Sequence, residues 1–314
     1  MLHKSWTLLK TTALGFGQDE CLSRGAAIAY YAVFSLAPVL LLVIALAGLF
    51  FGDTEARNAV VHEAGELMGH QGADTIQTML TGAAQAAHRG GSGELATLIG
   101  LATLMVAGTG VFGEVQSALN TIWKAHAPRG AVWQVIRTRL LSLVLVGALG
   151  LLLMISLVVS AALQGLGAWL TTRLPGVSTG LWAVSLFLSM VMTTLMFAAI
   201  YKVLPDTQIA WRDVAVGAGV TALLFALGKN LISLYIGSSN IATSYGAAGA
   251  LAVLFVWVYY SAQIFLFGAE FTKCFATLHG SHRPELLQPA VGGHAELQGL
   301  KERLGQSRSR AVES

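Results

Sequence analysis

Six long apolar runs constrain this chain more than any other feature. They lie at about 26–51, 95–113, 139–164, 180–203, 213–236 and 248–271. A helix needs about 20 such residues to cross a bilayer, and in hydrocarbon only a helix or a closed barrel satisfies its own backbone. The second run is the weakest, because Gly108, Thr109, Gly110 and Gly113 dilute it. Only 11% of the 314 residues are charged and mean hydropathy is +0.66, whereas soluble domains carry about 25% charged residues. The pattern predicts an all-α membrane protein with six transmembrane helices. The first run is too long for the apolar core of a signal peptide and ends in "LAGLFFGD", so it reads as a retained span.

Lysine and arginine set the orientation. Fifteen of the nineteen fall in the N-terminal segment, the second and fourth connections and the tail. Only Arg57, Arg89 and Arg173 fall on the other side, and Lys229 lies inside a run. Both termini are therefore expected in the cytoplasm. The organisation reads as a cytoplasmic segment 1–24, a six-helix domain 25–274 with an outer helical loop at 53–94, and a flexible cytoplasmic tail 275–314. Cys21 and Cys274 fall on the reducing side, where no structural disulfide is expected. A net charge of +3 carries no nucleic-acid footprint.

The outer loop is acidic, with Asp53, Glu55, Glu63, Glu66, Asp74 and Glu94 against Arg57 and Arg89. Val60, Val61, Ala64, Leu67 and Met68 repeat at helical spacing within 54–70, and Ile76, Met79, Leu80 and Ala83 do so within 73–89. A helical hairpin over the outer mouth is predicted.

Three groups of residues in or beside the runs are candidates for function. Lys229 lies about 16 residues into the fifth run, roughly 24 Å from its inner end, in the outer half of the bilayer. An intramembrane cation either faces an interior cavity and binds an anion or snorkels to the interface. Asn230 beside it, Ser233 one turn on and Tyr245 in the next outer connection complete the candidate binding set. Arg24, Glu114, Lys202 and Glu270 share one depth near the inner ends of their runs, as a ring of ion pairs or a gate. Pro38 removes a backbone donor midway along the first run and should kink it, with Ser35 placed to satisfy the freed carbonyl.

Gly217, Gly219 and Ala215, and Gly246 with Ala250, form small faces suited to close helix packing, and they permit a homodimer. Gln263, Gln116 and Asn120 suit either a polar pathway or bonds between helices. The pairs His279 and His282, and Glu66 and His70, lack the further ligands of a metal site. No Walker loop, GxSxG or HExxH stretch occurs, so neither an enzyme nor a cofactor is expected.

"RGAAIAYYAVFSLAPVLLL" (24–42), "YKVLPDTQIAWRDVAVGA" (201–218) and "SYGAAGALAVLFVWVYYSAQIFLFGAEFT" (244–272) resemble, in order and spacing, segments of the YihY/BrkB family of bacterial inner-membrane proteins. The resemblance implies an inner-membrane location and a basic or polar residue near Lys229. It also implies the descriptions that the family carries, virulence factor or transporter. An old ribonuclease BN label in that family finds no support in these residues. The expected function is a transporter or exporter of an anionic or amphipathic solute or lipid. The alternative is a structural or assembly factor of the envelope that moves nothing.

Overall fold

A computed structural model describes residues 2–89, 110–125, 151–152, 155, 178–238 and 247–280. Most of the second and third runs, Tyr245 and the tail from 281 lie outside the described residues. No strand occurs among the described residues. The helices are α1 (Leu2–Gln18), α2 (Cys21–Phe51), α3 (Asp53–Arg89), a helical stretch α4 at 110–122, α5 (Ser178–Val203), α6 (Trp211–Ser238) and α7 (Ala247–Leu278).

Three of these are long and apolar enough to cross a membrane, over Ala183–Val203, Trp211–Ile236 and Leu251–Leu278. A fourth, α2, qualifies if its bent halves form one span. Its axis turns by 49° between Cys21–Leu36 and Val39–Leu49, a break that contains Pro38. Ser35 Oγ donates to the carbonyl of Ala32 at 3.2 Å, not to that of Phe34, the carbonyl four residues before the proline. A helical serine reaches carbonyls three or four residues back, which places Phe34 out of its range.

The N-terminal segment is itself a helix. α1 packs on α7 and α2, burying Leu8 and Thr12 while Trp6, Leu9 and Leu14 stay exposed. It ends in a two-residue turn, Asp19–Glu20, with Glu20 in the left-handed region at φ 53.

α3 follows α2 after Gly52, whose φ of 93 ends that helix. Asp53 and Glu55 stand in its first turn, where carboxylates complement the helix dipole. At Gly69 the backbone leaves the helix (φ 76, ψ −178), a conformation open to glycine alone without strain. The helix is kinked there, and a Cβ on Gly65 would stand 3.6 Å from the Ala73 methyl. Val60, Val61, Ala64, Met68, Ile76, Met79 and Leu80 pack together with Val33, Ile44 and Ala47 of α2 and Leu254 of α7. Seven of the nine residues read as the apolar face are thus packed, and the side chains of Leu67 and Ala83 lie outside the described ones.

α7 is the central helix, in contact with α1, α2, α3 and α6. A second core gathers Cys21 and Ile28 of α2, Leu119 and Ile122 of α4, Phe197 and Tyr201 of α5, Val214 and Ala218 of α6, and Phe265 and Leu266 of α7. One end of each of these five helices therefore meets at one face of the bundle, termed the basal end below. On α6 the exposed Leu223, Leu227, Leu231 and Leu234 form an outward stripe, as a helix side in contact with lipid requires.

Candidate functional site

The polar side chains concentrate at the basal end in three layers. The innermost is the crossing of α6 and α7. Each helix carries a glycine followed four residues later by a threonine. Thr221 Oγ1 bonds to the carbonyl of Gly217, and Thr272 Oγ1 to that of Gly268, both at 2.7 Å. Each threonine lies against the glycine of the opposite helix: a Cβ on Gly217 would overlap Thr272, and one on Gly268 would overlap Thr221. Tyr201 of α5 closes the layer, donating to the carbonyl of Phe265 at 2.7 Å with Thr221 Oγ1 at 3.1 Å. Gly217 is used as the sequence predicts, whereas Gly219 has open space beside it and Ala215 is exposed.

The second layer fixes the linker between α5 and α6. Asn120 Nδ2 donates to Asp206 Oδ2 at 2.8 Å, and the Asp206 amide donates to Asn120 Oδ1 at 2.8 Å. Gln116 Nε2 adds a bond to Asp206 Oδ2 at 3.3 Å. Lys202 donates to the carbonyl of Ile209 and stands 5.5 Å over the ring of Trp211. The linker motif that carries the family resemblance is therefore an architectural clasp. Asn120→Ala should cost about 2 kcal/mol, because it removes a bond to a carboxylate and leaves the Asp206 amide short of its acceptor. A thermal melt, together with faster proteolysis within 204–210, checks this.

The third layer joins α1, the turn after it, α4 and α7. Lys273 Nζ bridges Asp19 Oδ2 at 3.1 Å and Glu270 Oε2 at 3.4 Å. Lys124 pairs with Asp19 Oδ1 from α4's far end. Arg24 Nε donates to the Asp19 backbone carbonyl at 3.2 Å. Asp19 and Glu270 are thus held on one ammonium, that of Lys273. Burial alone would raise the Asp19 pKa; the bonds from Glu270, Lys124 and Lys273 and the Lys273 charge outweigh it and hold that carboxyl below its ordinary value. Gly15 of α1 lets the helix approach, since a Cβ there would stand 2.7 Å from Glu270 Oε2. Among the described residues, the only non-glycine residues with positive φ are Glu20 and Lys124. One adjoins Asp19 and the other reaches it, and strained backbone gathers where the surrounding structure enforces it.

Of the four residues grouped by depth, Arg24 reaches the Asp19 backbone and Glu270 shares Lys273 with the Asp19 carboxyl. Lys202 serves the linker, and Glu114 has no ion pair among the described residues. Their shared depth did not make them partners, because helix rotation decides which side chains meet. Asp19, Lys124 and Lys273 do the pairing. The available signal was the spacing of Glu270 and Lys273, three apart on one helix face.

Lys229 and Ser233 are half-buried, and Asn230 is exposed, donating only to the carbonyl of Ala226 at 3.0 Å. Lys229 makes no hydrogen bond or ion pair among the described residues. Its neighbour Gly228 packs under Tyr260 and Ile264 of α7. Tyr245 lies outside the described residues. Gln263 donates to the carbonyl of Leu22 at 3.4 Å while its Oε1 is buried without a partner.

Helices of this length and apolarity, with an outward leucine stripe and polar groups drawn inside, define a helical membrane protein. The chain belongs to the Virulence factor BrkB family, whose model matches residues 12–289. It is 28% identical to a UPF0761 membrane protein of Alteromonas mediterranea, over 85% of this chain and 88% of that one. It is 30% identical to a UPF0761 membrane protein of Alcanivorax borkumensis, over 85% of this chain and 60% of the relative. The UPF0761 membrane protein YihY of Salmonella newport is 33% identical over 56% of this chain and 58% of its own length. No solved structure matches the chain.

Proposed function

We propose that this protein is a transporter or exporter of the bacterial inner membrane that handles an anionic or amphipathic solute or lipid. In this reading the chain crosses the membrane six times with both termini in the cytoplasm. The basal end faces the cytoplasm, and α3, kinked at Gly69, forms a hairpin at the outer side. The observation that carries the anion is the contrast among cations. Lys124 and Lys273 meet carboxylates, whereas Lys229, on the Trp211–Ile236 span, has no such partner among the described residues. An intramembrane cation is by default a candidate functional residue. The reading assigns the chain no catalytic chemistry and no cofactor.

The second reading, an envelope scaffold that moves nothing, is favoured by the overlap-tight glycine and threonine crossing and the paired groups of the basal end. Native mass spectrometry of the protein in native-lipid particles separates the two and reports whether a homodimer forms. Wild type should carry an anionic lipid or metabolite that Lys229→Ala loses at equal expression. Equal spectra would make Lys229 a snorkelling residue and leave the scaffold as the better account.

A further inference from the structure

We infer that the Asp19 and Glu270 carboxyls form a proton-binding site, roofed by the seat of α1 on α7. The charge balance of the buried groups leads there. Glu270 is fully buried, and Asp19 is 4% exposed. The cation between them, Lys273, is 23% exposed, while Lys124 is 63% exposed and screened by solvent. Two buried carboxylates against one half-buried ammonium leave an excess of buried negative charge, which a low-dielectric site does not hold.

The hydrogen bonds make the same point. As a carboxylate, Glu270 leaves its buried Oε1 with no donor, and two buried carboxyls held on one ammonium repel each other unless one carries a proton. One proton between the two satisfies both conditions. A metal ion is a poor alternative. The described residues hold no group of three His, Cys, Asp or Glu side chains fit for one.

Every element packed against the pair contributes to its field. α7 supplies Lys273 and Cys274; α2 supplies Cys21 and, through the Asp19 carbonyl, Arg24; α4 supplies Lys124. α1 presents the uncharged Thr12 and Gly15. Because α1 rests its Gly15 on the Glu270 carboxyl, loss of the proton sets two carboxylates in repulsion under that helix and loosens its C-terminal turn. In a transporter this proton would be the coupling ion, a link that rests on the transport reading; the site itself does not.

The test is pH-difference infrared spectroscopy of the full chain in lipid nanodiscs, which needs no substrate. Wild type should show a protonated-carboxyl band that vanishes on alkalinisation, together with faster hydrogen exchange in Leu2–Gln18. Glu270→Gln should lack the band, and Asp19→Asn should shift the pH at which it vanishes. Side-chain 13C-glutamate labelling of the wild type should move the band, so a variant that fails to fold leaves the test intact. Absence of a titrating band, or a band untouched by labelling and by Glu270→Gln, would overturn the site. A chain that shows the band and transports nothing keeps the site and rejects the transport reading.

Discussion

Alanine at Gly268 should cost about 3 kcal/mol, at the upper end of what overpacking does to a close-packed interior. The new methyl group would overlap the Thr221 hydroxyl and stand 2.7 Å from Tyr201 Oη. Neither neighbour can yield cheaply. Thr221 is tied to the Gly217 carbonyl at 2.7 Å, and Tyr201 to the Phe265 carbonyl at 2.7 Å. Relief would require moving α6 and α7 apart. Membrane helices gain their association energy from such contacts, because lipid supplies little hydrophobic drive. Gly217→Ala, which meets Thr272 in the reciprocal position, should behave alike. Gly219→Ala, with open space beside it on the same helix, should leave the melting temperature unchanged. Thermal melting of the three variants in one detergent is the measurement. A Gly268→Ala protein that melts with wild type would show that the crossing is looser than these contacts imply.

Lys273→Met should be comparably damaging, by about 3 kcal/mol or more, because it strips the bridging cation from two buried carboxyls. Its counterpart Lys124→Met should cost under about 1 kcal/mol, since that ammonium is largely in solvent. The pH dependence distinguishes this from lost packing. Asp19 is held below its ordinary value of 3.8 in the folded chain. A lowered carboxyl pKa stabilises the fold fully above the unfolded value, and that stability is lost as pH falls through the folded value. Removing Lys273 removes two of the causes that lower it, so acid destabilisation should begin at a higher pH in the variant. Melting curves collected from pH 7 downward check both the size and the onset. An unshifted onset with a reduced melting temperature would assign the loss to packing alone.

The features legible in the sequence are the local ones. The apolar faces of α3, from Val60 to Leu80, were readable because a helix repeats its neighbours every three or four residues and one face must be buried. The long spans of α5, α6 and α7 were readable for a similar reason, since an apolar run of that length has few other solutions. α1 was missed as an element. Its turns mix threonine and lysine with leucine, and its burial depends on α7, more than two hundred residues away. Gly217 announced itself as a small residue suited to packing, but nothing near it in the chain named Gly268 as the other half of the crossing.

The sequence by itself determined that this is a helical membrane protein, where its apolar runs lie, which face of α3 is buried and which family it belongs to. The first three follow from composition and periodicity, which act within a few turns of chain; the family follows from the motifs at 24–42, 201–218 and 244–272. Only the tertiary structure decided the partners of its buried charges. Glu270 meets Lys273, which also holds Asp19, while Lys202 binds the linker and Glu114 has no ion pair among the described residues. Lys273 reaches Asp19 across 254 residues of sequence. Equal depth in a membrane is a one-dimensional property of sequence, whereas a salt bridge also needs two helices to be rotated toward one another. That rotation is set by close contacts such as Gly15 on Glu270 and Gly268 on Thr221.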